Sequence, residues 1–178
     1  MDNHLTFKET YIQNLFVVKL TPFSDVRGEF IRFFCENEFK EIGLDKKIVN
    51  VNYSKTLHKG DVRGMHYQED PYSETKIVKC IRGSIYDVAI DLRKESKTYL
   101  QYFGIELNDS NNKMLYVPDG FAHGFQALSD NTEIIYFNTK HYHPEYEKGV
   151  NAVEPSVNIK WPLPIRNQSD KDKDIKFL

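Results

Sequence analysis

The feature that most constrains this chain is a series of short runs rich in Val, Ile, Tyr and Phe, each stopped by turn-forming residues. The runs are LFVVKL (15–20), EFIRFF (29–34), KIVNVNYS (47–54), KIVKCIRG (76–83), SIYDVAIDL (84–92), YLQYFGIEL (99–107), KMLYVP (113–118), FAHGFQAL (121–128) and TEIIYFNT (132–139). β-Branched and aromatic residues suit a pleated, half-buried surface, and several runs alternate in polarity as strands do. Between them stand Arg-Gly twice, Asn-Asp-Ser-Asn-Asn, Pro-Asp-Gly and Ser-Asp-Asn, residues that favour turns. Many short strands at near-regular spacing point to a barrel or jelly-roll sandwich. The expectation is therefore an all-β fold with few short helices. One helix is expected over residues 36–43 (ENEFKEIG), with Gly43 as its C-cap. From about residue 155 the chain carries Pro155, Pro162 and Pro164, then the charged run Asp170 to Lys176. That tail reads as irregular chain folded over the barrel or fraying from it. No repeat or linker interrupts the 178 residues, so one domain over 1–178 is expected, large enough for a real core.

Charge and composition exclude several classes of function. The net charge of −2 gives no overall basic field for nucleic acid. No apolar run reaches the roughly 18 residues of a membrane span, and the opening MDNHLTFKETYIQN lacks the pattern of a signal peptide. Cys35 and Cys80 are the only cysteines, too few for a disulfide framework or a thiolate zinc site. Both lie in apolar runs and read as buried, inert thiols in a reducing, cytoplasmic compartment.

Two clusters carry the candidate chemistry. In Arg63-Gly64-Met65-His66-Tyr67-Gln68, strand alternation puts His66 and Gln68 on one face. If that face lines the barrel, an imidazole, a side chain suited to proton transfer near neutral pH, sits in a concave site; otherwise His66 is a satisfied core or rim histidine. In Pro118-Asp119-Gly120-Phe121-Ala122-His123-Gly124-Phe125, tight turns bracket His123, which is either a site residue or a turn-stabilising donor. Together the clusters resemble the double motif of the cupin superfamily. Metal-binding cupins carry a second His two positions after the first; here that position is Gln68, a poorer transition-metal ligand. Glu74 is the other candidate ligand, and no third good one is evident, so no metal is expected. His141-Tyr142-His143 reads as a solvated strand end before Pro144. Lys76 is either solvated at a strand edge or turned inward beside His66. Tyr136 alone reads as barrel packing, and Asp172 alone as part of a solvated tail. Motifs for nucleophilic hydrolysis, phosphate loops and dinucleotide binding are absent from the sequence.

Five motifs in order give a more specific resemblance. Asp25-Val26-Arg27-Gly28, Arg63 to Gln68, Lys76-Ile77-Val78-Lys79-Cys80, Val117 to Phe125 and Ser169-Asp170-Lys171-Asp172 are similar to those of the dTDP-4-dehydrorhamnose 3,5-epimerase family, the RmlC-like cupins. The resemblance runs from about residue 12 to Asp172. It implies an RmlC-like cupin jelly-roll β-barrel that works without a metal or organic cofactor on a nucleotide-sugar substrate. It also implies a cytoplasmic homodimer serving deoxysugar and surface-polysaccharide synthesis. His66 matches the family's base, Asp172 its acidic partner, Tyr136 the proton donor on the opposite sugar face and Lys76 the lysine near the C4 oxygen. Arg27, Phe30, Arg32, Asn50, Asn52, Arg63, Gln68, His123, Glu147 and Lys171 fall at positions matching substrate contacts.

The departures cluster where the nucleotide should sit. Arg32 replaces a frequent Glu, Asn50-Val51-Asn52 replaces Gln-Asp-Asn, Phe137 a Lys and His141-Tyr142 a Tyr-Tyr pair. They leave open a base other than thymine, such as cytosine, and reaction at C3 or C5 alone. The expected activity is 3,5-epimerisation of a nucleoside-diphosphate 4-keto-6-deoxyhexose. A single-position epimerase, a metal-dependent cupin and a non-catalytic sugar-binding cupin are the rivals.

Overall fold

Alternation along the strands places one set of apolar side chains between two sheets and a second set on their outer faces. A computed structural model describes residues 4–178; residues 1–3, the start of the expected 1–178 span, lie outside them. The strands are β1 (Leu5–Glu9), β2 (Phe16–Leu20), β3 (Phe23–Asp25), β4 (Gly28–Phe30), β5 (Asn50–Thr56), β6 (Val62–Gln68) and β7 (Lys76–Arg82). They continue as β8 (Ser84–Asp91), β9 (Tyr102–Asn108), β10 (Lys113–Val117), β11 (Phe121–Ala127), β12 (Thr132–Asn138) and β13 (Glu147–Gly149). Two short helices, α1 (Glu36–Lys40) and α2 (Asp170–Lys173), and a 3₁₀ turn at Pro144–Tyr146 complete the described elements. A six-stranded sheet has the order β1-β2-β10-β7-β12-β5, and a five-stranded sheet the order β13-β6-β11-β8-β9. All pairings are antiparallel, and the β3–β4 hairpin belongs to neither large sheet. This is the expected all-β jelly-roll barrel.

The run KIVKCI shows how the layers form. Val78 and Cys80 point inward, into a cluster with Ile85, Ala89, Leu107, Leu115, Phe121, Phe125 and Ile134. Ile77 points outward and packs with Leu5, Val18, Phe39 and Met114 under α1. On the outer face of the other sheet, Met65, Val88, Ile90 and Ala122 are covered by Val157, Ile159 and Trp161 from the tail. Each large apolar side chain buried this way contributes about 1.5–3 kcal/mol relative to exposure. The same alternation puts Lys76 and Tyr136 on the inner face, in step with Val78 and Ile134.

Some expectations shift. The run at 29–34 is strand only through Phe30; Ile31, Phe33 and Phe34 leave the ladder and pack as irregular chain against the α1 cluster. The run at 47–54 pairs only from Asn50. The helix is regular over Glu36–Lys40 and continues as a turn to Gly43, whose φ of +88° suits a residue without Cβ. Strands β1, β3 and β13 are additional, being polar or only a few residues long. His141 and His143 do not end a strand: β12 stops at Asn138, and the His143 ring stacks on Tyr72 at 3.6 Å. Ser169 caps α2 by accepting from the Asp172 backbone N–H, so the charged tail contains one helical turn. Cys80 is buried and burial pushes its thiol up to about 11, whereas Cys35 is only partly buried.

Candidate active site

The site begins where β6 and β11 cross unusually close. A Cβ on Gly64 would lie 2.7 Å from Gly124 Cα, and one on Gly124 would lie 2.5 Å from the Arg63 carbonyl oxygen. Only glycines permit this contact, and the pairing register shifts there between His123 and Phe125. Just beyond it His66 and His123 are register partners. Alternation sends Met65 outward into the core and His66 inward.

Asp172 reaches His66 from the far end of the chain. Its Oδ1 lies 2.7 Å from His66 Nε2, and its Oδ2 accepts from the Gly64 backbone N–H at 3.2 Å. Asp172 is 3% exposed. Burial pushes its carboxyl up, but the bonds from His66, Gly64 and Ser169 outweigh that and hold it below the ordinary carboxylate range. An ionised carboxylate only accepts, so Nε2 carries the proton and Nδ1 is left free as a base. His123 forms a second such pair with Asp87 on β8, at 2.8 Å. Asp87 is fully buried, and its Oδ2 has no protein partner among the described residues.

The opposite wall comes from the six-stranded sheet. Lys76 turns inward, its side chain only 13% exposed, with Nζ 3.3 Å from Glu74 Oε1 and 3.5 Å from the His66 carbonyl oxygen. Tyr136 lies on β12 beside it. Burial raises its phenol pKa, the Glu74 carboxylate adds to the rise and Arg63 opposes it. Arg63 donates to Thr56 Oγ1 and the Lys55 carbonyl oxygen, both at 3.0 Å, and has no carboxylate partner among the described residues. Glu147 bonds Lys171 and Tyr142; burial raises its carboxyl pKa, but these bonds outweigh it and leave it lowered.

These side chains enclose a cavity of about 570 Å³ lined by Arg63, His66, Lys76, His123, Tyr136, Lys171 and Asp172. A second lobe of about 380 Å³ shares His66, Lys76 and Tyr136 and adds Asn50, Asn52, Gln68 and Glu147. Gln68 accepts from the His143 backbone N–H at 2.6 Å and donates to the Tyr72 and His141 carbonyls, so its amide is spent on loop structure. Three expected residues are not brought to this cavity within the chain. Arg27 and Phe30 lie on the exposed β3–β4 hairpin, around a separate hollow. Arg32 pairs with Glu38 at 3.4 Å.

Sequence reasoning missed the role of Asp87, although SIYDVAIDL carries the signal: alternation puts that acid between Ile85 and Ala89 on the inner face. It also missed Gln168, whose side chain lines the cavity with a buried Nε2 lacking a protein partner among the described residues. Nothing in the sequence distinguishes Gln168 from its polar neighbours. Glu74 drew notice only as a potential metal ligand. Among the described residues no three His, Cys, Asp or Glu side chains converge to hold a metal ion. No helix there is long and apolar enough to cross a membrane.

Known proteins match this chain over nearly all of its length. The sequence model of the dTDP-4-dehydrorhamnose 3,5-epimerases matches residues 9–178. The dTDP-4-dehydrorhamnose 3,5-epimerase of Methanothermobacter thermautotrophicus is 39% identical over 175 residues, covering 97% of this chain and 94% of its own. The crystal structure of the Elizabethkingia anophelis NUHP1 dTDP-4-dehydrorhamnose 3,5-epimerase superposes with a TM-score of 0.94 at 34% identity, covering 98% of this chain and 97% of that one. The dTDP-6-deoxy-D-glucose-3,5-epimerase RmlC of Legionella pneumophila, in complex with dTDP-4-keto-L-rhamnose, superposes with a TM-score of 0.93 at 34% identity, covering 98% and 93%. Matched from its first long strands to its tail, with the fold of these enzymes, the chain belongs to the dTDP-4-dehydrorhamnose 3,5-epimerase family.

Proposed function

We propose that this chain is an isomerase that epimerises a nucleoside-diphosphate 4-keto-6-deoxyhexose at C3 and C5, the dTDP-linked sugar being the first substrate to test. One observation carries the reading: the His66–Asp172 pair and Tyr136 stand on opposite sheets and line the same cavity. Inverting a carbon requires a base on one face and a proton donor on the other.

The C4 ketone acidifies the hydrogens on C3 and C5. In this reading Nδ1 of His66 takes one of them, and Asp172 supports the imidazolium through Nε2. The electron pair moves to the C4 oxygen, where the Lys76 ammonium stabilises the enolate; losing such a group typically costs roughly 10²–10³ in rate. Tyr136, kept protonated by its surroundings, returns a proton to the same carbon from the other face. Solvent then reprotonates the phenolate and takes the proton from His66, so the enzyme resets with no net change. Arg63, with no carboxylate partner among the described residues, suits the diphosphate.

A homodimer completes the reading. The β3–β4 hairpin is a two-stranded sheet, marginal alone, with Phe23, Val26 and Phe30 exposed, and the edge strand β5 exposes Val51 and Tyr53. Grouped exposed apolar side chains support an interface between two copies, and a second copy would bring Arg27 and Phe30 a site to serve. The free cysteines suit the cytoplasm.

The test is incubation in D₂O with dTDP- and CDP-4-keto-6-deoxyglucose. Deuterium at both C3 and C5 supports the 3,5-activity, and deuterium at one carbon assigns a single-position epimerase. No incorporation from any such nucleotide sugar overturns the reading. Light scattering tests the dimer; a fully active monomer removes it.

A further inference from the structure

We propose that Glu74 is a positioning residue of this site: its carboxylate, anchored by Asn138, fixes the Lys76 ammonium over the reaction space. The inference rests on the epimerase reading above and adds a residue to it.

Glu74 sits just before β7, with a side chain only 10% exposed. Its two oxygens divide their work. Oε1 lies 3.3 Å from Lys76 Nζ, and Oε2 accepts from Asn138 Nδ2 at 2.7 Å. Asn52 on β5 in turn donates to Asn138 Oδ1 at 3.1 Å. The backbone beside Glu74 is pinned as well. Thr75 N–H donates to Thr139 Oγ1 at 2.9 Å, and Thr139 N–H donates to the Thr75 carbonyl at 3.2 Å. Side chains from three segments thus form one chain, Asn52–Asn138–Glu74–Lys76, that ends at the cavity.

Stability alone is a weak reason for such a network. Burying an ion pair costs desolvation that the attraction repays only with good geometry, and apolar residues of similar volume often serve as well. Placement is a better one. A lysine has a long, flexible stem that loses rotamer entropy when it is held in one geometry. Without Glu74, the one hydrogen-bond partner left to Lys76 among the described residues is the His66 carbonyl oxygen, at 3.5 Å. Glu74 supplies a charged stop at the other side. Preorganised charge contributes most to enolate stabilisation because it needs no reorganisation during the reaction. The same carboxylate also faces Tyr136, where it reinforces the effect of burial in keeping the phenol protonated.

The experiment compares the parent chain, Glu74→Gln and Asn138→Ala in deuterium wash-in kinetics with dTDP-4-keto-6-deoxyglucose, alongside dTDP binding by calorimetry and thermal melts. Gln keeps an oxygen for Asn138 but loses the charge on Lys76. The expected result is a kcat roughly ten- to a hundredfold lower, with KM and dTDP affinity within about twofold of the parent. Asn138→Ala leaves the charge but frees the carboxylate; it is expected to lower kcat by about three- to tenfold with KM unchanged. It also tests the network should Glu74→Gln fold poorly. An active parent with an equally active Glu74→Gln overturns this inference alone. A loss of kcat matched by an equal loss of dTDP affinity also overturns it, because that marks a packing role. A parent that turns over no nucleotide sugar overturns the epimerase reading and this inference with it.

Discussion

Replacing Asp172 by Asn separates the chemical role of this residue from its structural one. The carboxylate holds His66 Nε2 at 2.7 Å and the buried Gly64 N–H at 3.2 Å. In Asp172→Asn the amide oxygen keeps the Gly64 bond, so the amide NH₂ faces Nε2. Nε2 must then accept, the ring proton moves to Nδ1, and the nitrogen left for substrate is no longer a base. The expected loss is roughly 10²–10⁴ in kcat, equivalent to about 2.7–5.4 kcal/mol of transition-state stabilisation. The tail stays docked, because the Ser169 cap and one of the two carboxylate bonds survive, so unfolding stability falls by only about 1 kcal/mol. Asp172→Ala loses both bonds and leaves the Gly64 N–H unpartnered, a further cost of about 1–3 kcal/mol. The two variants should therefore be equally inactive but unequally stable. The assays are deuterium wash-in for activity and urea unfolding for stability. An Asn variant that keeps more than about a tenth of parental kcat, or that unfolds as easily as the Ala variant, refutes the tautomer argument. The acid limb adds a check. Because the folded pKa of Asp172 is lowered from 3.8, its contribution is fully present above that value and disappears as pH falls through the folded one. The Asn variant should lack that part of the acid-induced loss.

Three further outcomes follow from the geometry. Tyr136→Phe keeps the ring but removes the returning proton. It should exchange the C3 or C5 hydrogen for deuterium without inversion, and kcat for epimerisation should fall roughly 10²–10⁴; product with inverted configuration at parental rates counts against Tyr136 as donor. Asp91 is fully buried, and bonds from Arg93, Ser96 and Thr98 outweigh burial to bring its carboxyl down to about 2. Its stabilisation, about 2 kcal/mol, should be complete above its ordinary value near 4 and vanish as pH falls through about 2; denaturant titrations of Asp91→Asn against parent across this range measure it. Gly64→Ala adds a methyl 2.7 Å from Gly124 Cα at a φ of +110°, and it should destabilise by roughly 3 kcal/mol or more. An unchanged melting temperature would show that β6 and β11 can separate freely.

By itself, the sequence determined the strand series, the all-β barrel or sandwich class and the face that His66 shares with Gln68. Those follow from local rules: period-2 alternation and turn residues act over a few positions. The inward direction of Lys76 and Tyr136 follows from the same alternation once Val78, Cys80 and Ile134 are known to be core. Apart from the Asp172–His66 pairing that the resemblance implied, which residues meet across the barrel followed only from tertiary structure. Asp172 lies 106 positions from His66, in a charged run whose composition suggests only solvation. Asp87 meets His123 because β8 and β11 are neighbours, and Glu74 meets Asn138 because β7 pairs with β12. Arg27 and Phe30 were assigned to the substrate by the family resemblance, and within the chain they stand on an exposed hairpin. Strand periodicity fixes the face on which a side chain points, and long-range pairing fixes what it points at.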